Sequence, residues 1–532
     1  MTTVTVAPSL THSAQCSNVL VAGAFTSGGK LSEIKSMCNA TYPGFSLRIE
    51  QPSLGLMLIA QTLKNDGHEV KIHDTALEGW ENRTVIDPVN NVVLIGQSDD
   101  EIAKVVSDFS PDVIAISVLF SNLLGSSHNI ANIAKKVNKN ITVILGGNHI
   151  SNAIIDYKYA KVDKSLNLDD HIKDLENENI DFALTGEGEF QLVETVNGIV
   201  NKLDISKQPG LVKKIGDKKY IINAPVRIHD LNLIPRPARH LVNMEGYFNI
   251  GAFHSAKSRS NRVLSVMCSR GCPEKCTFCT TPEMWGQNTR WRSTDNIMNE
   301  ITNDVKDFKI GEIQFEDDTI TVNKKNLFAL CKRLEKEVGL PWCTPNGTKV
   351  NYHLKQQPEM YKAMADSGCY QITLACESGV QRVLDNVINK RLPLDTVKPA
   401  IENAKKAGLL VHTFWILGYP GETYEEMQQT IDFAMGTGAD SFSFAILSPL
   451  PGTPIYREVM KKGLWWPGRS MGDILYRSSL IKVDGFNSPE TFENFVNETN
   501  KKANLLLKGK DIERFKYKYG SETKDSDFVK QT

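Results

Sequence analysis

Cys272-Pro273-Glu274-Lys275-Cys276-Thr277-Phe278-Cys279 gathers three thiols at C-x3-C-x2-C spacing, directly after the apolar run Arg262-Val263-Leu264-Ser265-Val266-Met267. A run of that kind reads as a β-strand, so the cysteines are predicted on the loop that leaves it. The spacing lets one loop bend three thiolates onto three corners of a single inorganic cluster, and no fourth cysteine continues the pattern downstream. A structural zinc site is closed by four ligands, and an iron–sulfur cluster normally takes four thiolates. The loop therefore implies either a distant fourth ligand or an exchangeable one. A zinc knuckle completed by Cys268 is the alternative of the first kind.

The 532-residue length predicts two or three domains. Lys+Arg 61 against Asp+Glu 62 leaves a net charge of -1 with no concentrated basic arm, which speaks against a nucleic-acid partner. Residues 1–8 lack a basic stretch followed by an apolar core, and no uninterrupted apolar run approaches membrane-spanning length. No membrane partner and a cytoplasmic location are expected. The 10 cysteines, Cys16 and Cys38 among them, form no regular framework, which suits reduced thiols plus one metal loop better than disulfides.

Working outward from the loop, strand starts recur about every 30 residues, the length of a βα unit. They fall near Val263, Glu312, Trp342, Gln371, Leu410 and Ser441, with helices near 294–305, 325–335, 358–366, 394–406 and 424–435. Six units predict a parallel partial (β/α)6 barrel over 263–470, with its chemistry at the carboxyl ends of the strands. A helix near 489–507 and a charged, mobile tail make up a C-terminal segment, 471–532. Upstream, strands at 18–22, 69–72, 112–117, 141–145 and 182–184 alternate with helices at 54–65, 99–109, 122–137 and from Glu189. This predicts an α/β doubly wound sheet over 1–201. Residues 202–262, with weakened periodicity and the stiff Ile234-Pro235-Arg236-Pro237, read as the connection.

The loop's signature, including Phe278 before the last cysteine, resembles the radical S-adenosylmethionine (SAM) enzymes. That resemblance implies a 4Fe-4S cluster on Cys272, Cys276 and Cys279, whose open iron holds the amino and carboxylate groups of SAM. One electron from an external donor such as flavodoxin then cleaves SAM to methionine and a 5′-deoxyadenosyl radical. Other strand ends fit the same family. Phe315-Glu316-Asp317-Asp318 resembles its acidic amine-binding motif, implying Glu316 and Asp317 for the SAM ammonium. Glu377 and Ser378 correspond to groups that bond the ribose or amino-acid portion, and Ile416-Leu417-Gly418 to the backbone lying along adenine.

The first sheet carries Asp74-Thr75-Ala76-Leu77-Glu78-Gly79, Ser117-Val118-Leu119 and Gly146-Gly147 at three successive strand ends. In that order they resemble the D-x-H-x-x-G, S-x-L and G-G motifs of cobalamin-binding modules, with Ala76 where the histidine would stand. The resemblance implies cobalamin contacts from Asp74, Ala76, Leu77, Gly79, Ser117, Leu119, Gly146 and Gly147, with Gly186 and Glu187 at the last strand end. The glycines are expected to leave room for the dimethylbenzimidazole tail, and no protein nitrogen is expected below the cobalt. Together the two halves are similar to cobalamin-dependent radical SAM methyltransferases, and the stretches around residues 73–82 and 269–286 to their phosphonate-pathway members in antibiotic biosynthesis. The family transfers methyl from methylcobalamin to an unactivated carbon or phosphorus of a small substrate. Arg290 and Arg292, flanking Trp291, have the geometry to meet an anionic phosphonate, although ordinary surface residues are the favoured reading of the pair. Two rivals are a cobalamin-linked radical cyclase or rearrangement enzyme, and a cobalamin-binding sensor whose iron–sulfur loop is structural.

Overall fold

The computed structural model describes residues 18–23, 29–30, 52–87, 92–166, 175–217, 219–251, 254–255, 258–473 and 478–508. Residues 1–8, Cys16, Cys38 and the tail beyond 508 lie outside the described residues.

In the first half, the strands are β1 (Asn18–Gly23), β2 (Gly29–Lys30), β3 (Glu69–Asp74), β4 (Arg83–Asp87), β5 (Val92–Ile95), β6 (Val113–Ser117), β7 (Thr142–Gly146), β8 (Phe182–Leu184), β9 (Leu211–Gly216) and β10 (Lys219–Ile222). Seven of them form one sheet in the order β10-β9-β8-β7-β6-β1-β3. The strands from β3 to β8 in that order are parallel, and β9 and β10 run antiparallel at the edge. The chain builds outward from β1 first to β3 and then to β6, so the topological switch lies at the carboxyl end of β1. Strands such as β6 are buried on both faces, which is why they read as continuous apolar runs. Helices Leu54–Asn65 and Gly188–Val200 cover one face, while Leu124–Val137 and Asn148–Val162 pack on the other.

Three features depart from the sequence reading. The segment read as a connection begins with the β9–β10 hairpin, which extends the first sheet; its charged pairs Lys213-Lys214 and Lys218-Lys219 masked the strands. Helix Asn148–Val162 was not expected, and β2, β5 and β4 form a separate antiparallel sheet.

The second half contains β11 (Val263–Val266), β12 (Ser269–Arg270), β13 (Arg290–Trp291), β14 (Glu312–Phe315), β15 (Trp342–Lys349), β16 (Cys369–Glu377), β17 (Leu410–Leu417) and β18 (Ser441–Ile446). The order β11-β14-β15-β16-β17-β18 is sequential and parallel, as the six-unit reading requires. Helix Pro489–Lys508 packs on the outer side of β18, where Asn500 accepts from Phe444 N (3.0 Å) and donates to Phe444 O (2.8 Å). No helix of the described residues is long and apolar enough to cross a membrane.

Candidate active site

The cysteine loop leaves β11, passes through the short β12–β13 hairpin and is pinned on every side. Gly271 takes φ +98, and a Cβ there would lie 2.8 Å from Asn288 O. Cys272 N donates to Gly286 O (3.2 Å), and Thr277 docks on the turn Val383–Ile388 through N to Ile388 O (2.9 Å) and Oγ1 to Val387 O (2.7 Å). Ile455 N donates to Thr277 O (3.1 Å) from the other flank. Asp318 accepts from Gly271 N (3.3 Å) and Thr281 Oγ1 (2.8 Å), bracketing the three cysteines.

Among the described cysteines, Cys272, Cys276 and Cys279 are partly exposed, while Cys268, Cys331, Cys343, Cys369 and Cys376 are buried. Burial pushes the Cys272 thiol up to about 12 and Cys276 to about 11, and Cys279 moves the same way; neighbouring thiols add repulsion at the first two. Three crowded thiols in such surroundings stay neutral unless metal compensates them, so the donor set fits a cluster that holds all three as thiolates. Cys268, the fourth ligand of the zinc-knuckle alternative, is fully buried in the barrel core.

The acidic motif divides. Glu316 meets His254 Nδ1 (2.8 Å) and Asn346 Nδ2 (3.4 Å) at the end of β14. Asp317 instead turns into the interior, accepting from Cys268 N (3.0 Å) and Ser269 Oγ (2.5 Å), with burial raising it to about 6. It supports the backbone before the loop and does not open toward a ligand. Glu377 stands at φ +68 where β16 bulges, paired with buried Lys390 (2.9 Å), a partner the sequence did not suggest. Ser378 faces away: its hydroxyl lies 3.2 Å from Thr430 Oγ1 and accepts from Val380 N (3.1 Å). Gly418 has φ +86, and a Cβ there would sit 2.8 Å from the Phe492 ring, so helix packing accounts for this glycine. Phe278 lies 6.1 Å from the Tyr419 ring, edging the loop against the end of β17.

Across the carboxyl edge of the first sheet, Asp74, Gly23, Ser117 and Gly146 fall in one row by strand register. Asp74 caps the turn Thr75–Glu78, accepting from Ala76 N (3.0 Å) and Leu77 N (3.1 Å), and its second oxygen accepts from Tyr247 OH. Burial raises Asp74 above the usual carboxylate range. Tyr247, from helix Met244–Ile250, thus occupies the carboxylate, and it packs with Ala76 and Leu77. No motif announced this residue.

A Cβ on Gly79 would lie 2.1 Å from Gln97 N, and one on Gly147 2.7 Å from Val118 O, so each glycine is also required where one chain passes another. Leu119 packs against the core of the module. At the last strand end, a Cβ on Gly186 would meet Pro225. Glu187 accepts from Arg270 (3.1 Å) on one oxygen and from Arg290 (2.8 Å) and Ile228 N (2.5 Å) on the other. Arg290 is taken by that contact, and Arg292 by Glu300 (2.6 Å) and Met267 O (3.0 Å); neither guanidinium is aimed at a substrate.

Comparison with known proteins agrees with both halves. Residues 266–434 match the radical SAM superfamily and residues 45–163 the B12 binding domain. The chain is 34% identical over 481 residues to a cytidylyl-2-hydroxyethylphosphonate methyltransferase of Streptomyces wedmorensis, covering 85% of this chain and 86% of that protein. Among solved structures, the fold is similar to the cobalamin-dependent SAM radical enzyme OxsB (TM-score 0.64, 15% identity, 97% of this chain and 75% of that one). It is also similar to the radical SAM methyltransferase TsrM of Kitasatospora setae (TM-score 0.59, 16% identity, 83% and 75%).

Proposed function

The chain belongs to the cobalamin-dependent radical SAM methyltransferases, and from that premise we propose that its substrate is a small phosphonate, cytidylyl-2-hydroxyethylphosphonate or a near relative, methylated at carbon in antibiotic biosynthesis. The observation that carries this reading is the 34% identity spread over 85% of the chain, through both cofactor halves, to a methyltransferase named for that substrate. When bound, the 4Fe-4S cluster and SAM supply a hydrogen-abstracting radical and cobalamin supplies the methyl group.

The chain's own residues hold and orient. Cys272, Cys276 and Cys279 would hold the cluster as three thiolates. Glu316, whose carboxylate lies at the open end of β14, accepts from the SAM ammonium, with Asn346 fixing its direction. Glu377, held by Lys390 at the carboxyl end of β16, is the second carboxylate assigned to SAM. On the module, Ser117 and Gly146 at the carboxyl ends of β6 and β7 would hold the nucleotide tail of cobalamin, and Ala76 would offer it no imidazole. The cobalamin-binding unit runs from β1 through the β9–β10 hairpin, and the barrel from β11 to about 470. A one-electron donor of the flavodoxin kind and a cytoplasmic setting complete the reading.

The test is anaerobic turnover of the reconstituted protein with cytidylyl-2-hydroxyethylphosphonate and with free 2-hydroxyethylphosphonate, followed by mass spectrometry. A product 14 mass units heavier from the cytidylylated compound is expected. Methylation of neither, with SAM cleavage intact, would remove the phosphonate assignment.

A further inference from the structure

Glu187 and Arg270 belong to different halves of the molecule. Glu187 follows the last parallel strand of the cobalamin-binding sheet, while Arg270 lies in the β12–β13 hairpin, two residues before the first cysteine of the cluster loop. Their side chains are 1% and 5% exposed and meet at 3.1 Å. Arg290, paired opposite Arg270 in the hairpin, reaches the other oxygen of Glu187 at 2.8 Å. Glu189 closes on Arg270 from the second side, and the Trp285 ring covers the Arg270 guanidinium at 4.6 Å. Two carboxylates and two guanidiniums are thus buried as a balanced set.

Charges do not enter an interior without a compensating arrangement, and a hydrophobic contact of the same volume would be at least as stable. What an ion set adds is direction: a planar guanidinium whose two terminal nitrogens each hold a different carboxylate, as Arg270 holds Glu187 and Glu189, tolerates little sliding. The set ties the edge that carries the cobalamin motif to the hairpin that carries the cluster.

We propose that Glu187 and Arg270 are positioning residues of the methylation, acting by fixing the cobalamin-side sheet edge against the cysteine loop so that radical formation and methyl delivery meet on one substrate. The proposal rests on the methyltransferase assignment and requires no particular substrate. Small misplacements of reacting groups cost about a hundredfold in rate, so a rigid joint between the two halves is where such control belongs.

The experiment uses full-length holoenzyme carrying Glu187→Gln, with the charge-balanced Glu187→Gln/Arg290→Gln as second variant because a lone buried guanidinium can unfold a chain. Iron and cobalamin contents are matched to wild type. Expected for Glu187→Gln is SAM cleavage within about threefold of wild type, with methylated product per 5′-deoxyadenosine at least tenfold lower. The electron-spin interaction between reduced cluster and cob(II)alamin should also change, a readout that needs no substrate. The balanced variant should recover part of both. Equal losses of cleavage and methylation, an unchanged product ratio or an unchanged spin interaction would overturn the proposal, as would failure of both variants to fold, since the contact would then serve stability alone. Absence of methylation in wild type beside a changed spin interaction would instead fault the assignment of substrate and leave the joint standing.

Discussion

The two carboxyl edges use their signature residues in opposite ways. In the barrel, the signature supplies donor atoms: three thiols stand at the crevice, and carboxylates such as Asp318 and Asp317 brace the chain that presents them. On the cobalamin-binding sheet, the signature mostly supplies shape. Gly79 and Gly147 let one chain pass another, and Asp74 is spent on a turn and on Tyr247. A cofactor held by covalent metal–ligand bonds leaves its chemistry written in side chains. A cofactor enclosed by surfaces leaves it in backbone that any sheet of this type can adopt, so only the joint order of the three stretches identifies it.

The difference is broken most severely at the thiols. Alanine at Cys272, Cys276 and Cys279 together is expected to abolish the iron–sulfur absorbance and SAM cleavage while cobalamin binding persists. Cys268→Ala should keep the cluster, because that thiol is fully buried in the barrel core. Iron and sulfide analysis with a 5′-deoxyadenosine assay decides, and loss of cluster in Cys268→Ala would favour a four-thiolate structural site.

Next in size is the bracing carboxylate. Asp318→Ala removes the acceptor of Gly271 N and Thr281 Oγ1 at both ends of the loop. Groups that orient metal ligands typically contribute 10–100-fold to affinity or activity, and a loss of about that size in cluster retention is expected under mild chelation. Retention equal to wild type would show that the backbone bonds of Thr277 hold the loop unaided.

Tyr247→Phe tests the other edge. It deprives buried Asp74 of a donor, which costs about 1–3 kcal/mol. Weaker cobalamin retention with unchanged iron content is expected in equilibrium dialysis; a loss confined to the cluster would contradict the separation of the two edges.

Much of this was legible in the sequence, for physical reasons. Strands such as β6 and β11 are short apolar runs buried along their length, and the regular spacing of the later βα units placed the more polar barrel strands. Helix Asn148–Val162 did not stand out, because its buried face includes Asn152 and Asp156, which serve a contact with the barrel: Asp156 accepts from Gly452 N (2.5 Å) and pairs with Arg457 (2.8 Å). The same contact gives the loop after β18 its role. The Arg290-Trp291-Arg292 pattern misled because its partners, Glu187 and Glu300, lie far away in sequence or behind the hairpin, and local spacing carries no word of them. Tyr247 was invisible for the same reason.

A comparable effect, confined to one end of the pH range, lies in the Gly418–Thr423 turn. Glu422 accepts from Gly418 N (2.8 Å) and Tyr419 N (3.1 Å), yet burial raises it to about 7. A carboxyl raised in the folded state contributes stability that is whole below its unfolded value near 4.5 and is lost as pH rises through about 7. Glu422→Gln keeps an acceptor and removes the titration. Its melting temperature should match wild type near pH 4.5 and exceed it at pH 8, by an amount equivalent to about 3 kcal/mol at most. Parallel pH profiles would show that Glu422 is ionised throughout.

The measurement that bears most directly on the division of work between the two edges is product stoichiometry with substrate deuterated at the carbon to be methylated. One 5′-deoxyadenosine carrying deuterium and one S-adenosylhomocysteine are expected for each methylated product, because one SAM serves the cluster edge and another the cobalamin edge. Methylated product without S-adenosylhomocysteine, or deuterium absent from 5′-deoxyadenosine, would contradict the account; a ring-closed or rearranged product with no coupled S-adenosylhomocysteine would point to the cyclase class instead.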